Sequence, residues 1–149
     1  MLLLQFQSLL YASETYCFAE SMENTLEYCD WAKEIVKTLC KNPKLKPYSQ
    51  GFYRDIVKYK IATLLRNNKI SEAVEEFKQL ELVIENYIKF CQEQIQNPNT
   101  EKDFGEKAFK NMQNYTKEFA ESKKQTILQF LKEITAAEIF EEFKKLIEK

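Results

Sequence analysis

Residues 60–77, Lys60-Ile61-Ala62-Thr63-Leu64-Leu65-Arg66-Asn67-Asn68-Lys69-Ile70-Ser71-Glu72-Ala73-Val74-Glu75-Glu76-Phe77, decide the fold. Ile61, Leu64 and Leu65 close one run of apolar residues spaced by three and four, and Ala73, Phe77 and Leu80 open another. That period puts each run on one face of an α-helix. Only Asn67-Asn68-Lys69 stands between them. So short a connection makes the two helices turn back on each other, so the stretch predicts an antiparallel helical hairpin.

The pattern extends outward from this turn. The helix before it is predicted from Gln50 to Arg66, with Phe52, Tyr53, Ile56, Val57, Ile61, Leu64 and Leu65 facing inward. The helix after it runs from Ser71 to Gln96 along Ala73, Phe77, Leu80, Ile84, Tyr87, Ile88 and Cys91, and would be ~39 Å long at 1.5 Å per residue. Upstream, the two prolines of Lys41–Pro47 end an earlier pair, because proline cannot continue a helix. In that pair a first helix spans Leu2–Ser21, with Leu2, Phe6, Leu9, Leu10, Ser13, Tyr16 and Cys17 on its stripe. Asn24-Thr25-Leu26-Glu27 reads as a capping box that starts a second helix reaching Cys40. This helix has two stripes, Leu26/Cys29/Ala32/Val36/Leu39 and Tyr28/Trp31/Ile35, which predicts packing between neighbours. Tyr16, Tyr28 and Trp31 are therefore expected in the core, with an interface anchor as the alternative.

Downstream, Asn97-Pro98-Asn99 ends the long helix, and Thr100 and Asp103 cap a fifth with stripe Phe104, Ala108, Met112, Tyr115 and Phe119. Ser122/Gln125 and Thr135/Glu138 both match a capping box, while Ile127, Leu131 and Ile134 also permit one continuous helix. A break is placed near 134–135, before the fresh stripe Ile139, Phe140, Phe143 and Ile147. The tail over 136–149 is expected to cap the stack, with docking into a neighbouring subunit as the alternative. No segment alternates with period two long enough to form a strand. The expected fold is all-α: a single domain over 1–149, with two helix pairs in 1–96, capping helices in 100–149 and about six to seven helices in total.

The composition removes most chemistry. The chain of 149 residues has 2 Gly and no His. Gly-rich phosphate loops need glycine where backbone meets ligand, and His is the commonest general base and metal ligand. Glu72, Glu75, Glu76, Glu141 and Glu142 fall on outward faces in helical register, without the Glu-x-x-His pairs of a carboxylate metal bundle. The expectation is a non-catalytic protein with no cofactor, no metal and no small-molecule substrate. Cys17, Cys29, Cys40 and Cys91 sit apart among apolar neighbours, which suits buried free thiols and a reducing intracellular compartment, the cytoplasm ahead of an organelle interior. Met1-Leu2-Leu3-Leu4-Gln5-Phe6 lacks the basic region and cleavage site of a signal peptide, and no apolar run approaches the ~18 residues of a membrane span. Entry into an apolar helix at Leu2 without a cap suits a piece of a longer stack.

The net charge of −1 hides an ordered distribution. Residues 1–40 carry two lysines against six acids, residues 41–69 eight Lys/Arg against Asp55 alone, residues 70–103 three lysines against eight acids, and residues 104–149 nine lysines against eight acids. The basic segment 41–69 interleaves its charges with Tyr48, Phe52, Tyr53 and Tyr59, and Arg54 and Lys58 lie one turn apart on a shared face. Such a surface fits an acidic protein partner, or nucleic-acid phosphates as the lesser alternative.

The 60–77 hairpin resembles a tetratricopeptide repeat, whose second helix carries a small residue followed four positions later by an aromatic, here Ala73 and Phe77. Leu9, Ala12, Ser13, Tyr16, Thr25, Cys29 and Ala32 give a fainter copy, offset by 48 residues from Thr25 to Ala73 rather than the family's usual 34. Ile61 stands where a small residue is expected. The resemblance covers residues 1–96. It implies a short right-handed array of antiparallel hairpins that binds other proteins through a concave face lined by the first helix of each pair. Gln7, Leu10, Glu14 and Cys17 would line it from one helix, and Asp55, Lys58, Ala62, Leu65 and Arg66 from the other.

Together these readings predict an interaction scaffold or accessory subunit of a larger assembly, holding a protein subunit or an acidic peptide. The partner-binding residues expected are Arg54, Lys58, Arg66, Lys69, Glu14 and Tyr53. The alternative is a structural RNA-associated subunit using the same basic segment, with no membrane insertion in either case.

Overall fold

The structure, a computed structural model, describes residues 2–149. Eight α-helices follow in order: α1 (Leu2–Phe18), α2 (Met22–Leu39), α3 (Ser49–Arg66), α4 (Ile70–Ile95), α5 (Thr100–Phe104), α6 (Glu106–Asn114), α7 (Lys117–Ile134) and α8 (Ala137–Ile147), with one 3₁₀ turn at Lys46–Tyr48 and no strand among the described residues. α1 pairs with α2 and α3 with α4, while α2 and α1 both pack on α3, so the two hairpins stack. No described helix is long and apolar enough to cross a membrane.

Both hairpins close through the same turn. At the end of α1, Glu20 takes a left-handed φ of 61°, and at the end of α3 Asn68 takes 59°. The Ser21 amide donates to Tyr16 O and Glu20 to Cys17 O; 48 positions on, Lys69 donates to Leu64 O and Asn68 to Leu65 O. These paired bonds form a Schellman motif, which satisfies the last carbonyls of a helix when one residue turns left-handed. The 48-residue offset seen in the sequence is thus a structural repeat.

The predicted helix boundaries need three corrections. α2 starts at Met22, with Ser21 before it, so Asn24 lies inside the first turn and forms no capping box. Its amide instead donates to Ser21 Oγ at 2.9 Å. The predicted fifth helix is split, because Gly105 adopts φ 93° between α5 and α6 and Thr116 starts α7 by accepting from the Phe119 amide at 3.1 Å. This raises the count from the expected six or seven to eight. α7 then runs unbroken through Ser122 and Gln125, and the chain breaks at Thr135–Ala136 as expected, although without a side-chain cap on α8.

Core placement follows α3. Ile56, Val57, Ile61, Ala62 and Leu65 are fully buried, because α1, α2, α4 and α7 surround this helix. α8 closes the far side of α4, with Phe143 set edge-on to Phe77 at 5.8 Å. Cys17, Cys29 and Cys91 are buried and Cys40 half-buried, all as free thiols. Burial pushes the Cys29 thiol up to about 12 and that of Cys91 to about 11, so both stay protonated and unreactive at neutral pH. Trp31 departs from its expected core position: it is 56% exposed.

Candidate partner-binding groove

The face of α3 between α1 and α7 is open at its N-terminal end and crossed by side chains at its C-terminal, shut end, where a separate cavity of about 320 Å³ remains around Arg66. At the shut end, Phe18 of α1 and Phe130 of α7 meet edge-on over Tyr59. Arg66 locks this end, donating from Nε to Ile134 O at 2.9 Å and from Nη1 to Cys17 O at 2.8 Å. A guanidinium between two helix C-termini satisfies free carbonyls and opposes the negative ends of both helix dipoles. Ala62, Leu65 and Cys17, expected to line a groove, are covered here.

The open end is a trough between α3 and the α6–α7 corner. A cavity of about 430 Å³ lies between the first turns of α3 and Asn111, Asn114 and Phe119. A second, of about 310 Å³, continues along Lys58, Ile127 and Phe130. Arg54, Asp55 and Lys123 line both, so the two form one trough. From Pro47 to Lys58 it follows α3 for roughly 17 Å.

Among the described residues, the half-buried cations of this trough form no ion pair, although the Asp55 carboxylate lies near them. Elsewhere, half-buried lysines are paired: Lys33 with Glu76 at 3.2 Å, Lys60 with Asp30 and Glu76 at 2.8 Å each, and Lys124 with Glu81 and Glu121 at 3.2 Å each. Among the described residues, Arg54, Lys58 and Lys123 form no ion pair. Arg54 donates to Gln50 Oε1 at 3.1 Å, the atom that also accepts the Tyr115 hydroxyl at 2.9 Å. The Lys58 ammonium lies 4.9 Å from the Tyr59 ring centre and 5.7 Å from that of Phe130, and Lys123 lies 5.0 Å from that of Phe119. These cation–π contacts are a modest substitute for a counter-charge. Asp55 sits among all three; burial raises its carboxyl pKa, and Lys58, Arg54 and Lys123 pull it back down.

The residues singled out by sequence therefore separate. Arg54 and Lys58 share the trough. Arg66 is committed to the shut end. Lys69 lies at the α3–α4 turn, 3.7 Å from Glu72. Glu14 lies on α1, close enough for its charge to raise the Tyr59 pKa beyond the effect of burial. Tyr53 points the other way, toward the Lys33–Glu76–Lys60 cluster, where burial and then Glu76 push its hydroxyl up to about 12. Each residue of α3 rotates the side chain by about 100°, which lets Tyr53 face the cluster while Arg54 faces the trough. Lys123, Phe119 and Phe130 were missed. They recur at four and seven positions along α7, but Lys123 stands next to the paired Lys124, and only packing against α3 tells the two lysines apart.

Among the described residues, no three His, Cys, Asp or Glu side chains gather closely enough to hold a metal ion. Comparison with protein-family models, curated proteins and solved structures finds no match to this chain.

Proposed function

We propose that this chain is a non-catalytic, tetratricopeptide-like interaction module, an accessory subunit that holds an acidic segment of another protein in the trough between α3 and α7. The observation that carries this reading is the set Arg54, Lys58 and Lys123, three half-buried cations that form no ion pair and share one nearby carboxylate, Asp55, in a molecule whose other half-buried lysines are paired. Drawing a charge partly out of water is unfavourable unless an opposite charge meets it, and a partner's carboxylates would supply that charge. The aromatic rings beside the cations offer apolar contact to the same segment.

The test is a pull-down from native lysate with the wild-type chain and with a Lys58→Glu/Lys123→Glu variant, read by mass spectrometry and nucleic-acid staining. One stoichiometric protein, retained by wild type and lost by the double variant, is expected. Retention by the variant overturns the trough as the site, and recovery of RNA in place of protein overturns the choice of partner. With the partner in hand, Asp55→Asn is expected to tighten binding about threefold, since it removes the one negative charge facing the ligand.

A further inference from the structure

On the opposite side of the first hairpin, three aromatic rings form a continuous stack that ends in solvent. Tyr16 of α1 and Tyr28 of α2 lie 5.4 Å apart with planes 3° from parallel, and Tyr28 and Trp31 follow at 6.3 Å and 13°. The stack ends on Trp31, the single tryptophan of the chain, which is 56% exposed. Tryptophan supplies a large rigid surface at little entropic cost, and its neighbours in the stack already fix this one. Its ring is also the best cation–π acceptor among the side chains.

The surroundings select the cation. At 100° per residue, Glu23, Glu27, Asp30, Trp31 and Glu34 fall within an arc of about 100° on α2. Asp30 is paired with Lys60 and Glu34 with Lys37, while Glu23 and Glu27 have no ion pair among the described residues. Like charges at i,i+4 work against a helix, and although Glu23 in the first turn gains from the helix dipole, Glu27 has no such partner. Glu27 and Glu34 stand one turn to either side of Trp31, so a planar cation lying on the indole has a carboxylate at each end. A guanidinium fits this arrangement better than an ammonium, because it stacks flat and donates at its edges.

We propose that the Tyr16–Tyr28–Trp31 face docks an arginine-bearing basic segment of another protein, separately from the acidic segment in the trough. A second copy of this chain is a poor occupant. Its two arginines are Arg66, held by two backbone carbonyls, and Arg54, half-buried in the trough, so neither projects from the surface to lie flat on an indole.

Trp31 itself reports the test, since no other indole contributes to its fluorescence. The probes are an eight-residue arginine peptide and an eight-residue lysine peptide, titrated into the full chain. The arginine peptide is expected to change Trp31 emission saturably and to bind several-fold more tightly than the lysine peptide. Glu27→Gln/Glu34→Gln is expected to weaken arginine-peptide binding about tenfold, whereas Glu141→Gln/Glu142→Gln, an equal charge change on α8, leaves it unchanged. Equal affinity for the two peptides, or an equal loss in the α8 variant, overturns the proposal in favour of diffuse charge attraction. Emission that shifts with protein concentration alone, alongside a dimer in sedimentation, overturns it in favour of a second copy.

Discussion

The first hairpin, α1–α2, and the second, α3–α4, turn through the same two hydrogen bonds 48 positions apart, yet the molecule uses them in opposite ways. The second lies at the centre, with α3 covered by four helices; the first lies at the edge and keeps one face of α2 wet. Equivalent positions record the difference. Ser13, Cys17, Cys29 and Ala32 of the first hairpin correspond to Ile61, Leu65, Phe77 and Leu80 of the second, and all eight are buried. At these four positions the central hairpin carries the larger side chain, whereas at Leu9/Val57 and Thr25/Ala73, also buried in both, it carries the smaller one. The comparison teaches that the local code of a repeat fixes the turn and the pairing, while the number of neighbours fixes which faces are covered and which charges meet water.

Substitutions at matched positions can break this comparison. Leu65→Ala removes a fully buried side chain from the centre and should cost about 2–5 kcal/mol, against about 1 kcal/mol for Cys17→Ala at the equivalent edge position; denaturant midpoints with unchanged slopes check both. Equal losses would mean that the hairpins are energetically alike. Next comes the ion cluster that ties the hairpins together. Glu76→Leu leaves Lys33 and Lys60 half-buried without their shared carboxylate and should cost about 2–3 kcal/mol by the same measurement.

This cluster also sets an alkaline limit. Burial works to lower the Lys60 pKa, but hydrogen bonds to Asp30 and Glu76 outweigh it, and the net shift is upward. A lysine with a folded-state pKa above its unfolded value stabilises fully below that unfolded value, about 10.4, and loses the contribution as pH rises through the folded one. Stability should therefore begin to fall above about pH 8.5, where the thiols ionise more readily in the unfolded chain than in the folded one, and the added fall above about pH 10.4 should be reduced in Lys60→Met; thermal melts across that range decide it.

Smaller effects sharpen the contrast at the turns. Arg66→Ala removes two charge-assisted hydrogen bonds from the shut end and should cost about 2 kcal/mol, of which Arg66→Lys recovers less than half, because one ammonium cannot span both carbonyls. The smallest effect is expected at the left-handed residues. Glu20→Gly should stabilise by about 1 kcal/mol, whereas Asn68→Gly gains only a few tenths, since asparagine already tolerates that conformation. Thermal midpoints of the two glycine variants check this.

Much of the molecule was legible because it is written locally. The Asn67-Asn68-Lys69 turn, the long helix over Ile70–Ile95 and the break at Thr135–Ala136 follow from apolar period and turn chemistry, which act over a few residues. The capping boxes were less dependable. Asn24 and Thr135 matched the pattern, but α2 starts earlier than Asn24 and α8 starts later than Thr135, because the paired helices set where each ends. Among site residues, Arg54 and Lys58 were found because they lie one turn apart on one helix. Lys123 comes from a helix about 65 positions away, and no local pattern joins it to them. An apolar stripe predicts burial for Trp31, yet of that stripe only Tyr28 and Ile35 pack against the core, and Trp31 lies beyond the reach of the neighbouring helices.

By itself, then, the sequence determined the class of fold, the 48-residue repeat, the buried thiols and the alternating charge blocks, since each depends on side chains within a turn or two of one another. Only the tertiary structure decided which of those charges are used up. Arg66, Lys60 and Lys124 find partners inside the molecule, whereas Arg54, Lys58, Lys123, Glu23 and Glu27 form no ion pair among the described residues. The physical reason is that a charge is neutralised by whatever lies within a few ångströms, and across helices that distance is set by packing rather than by order along the chain.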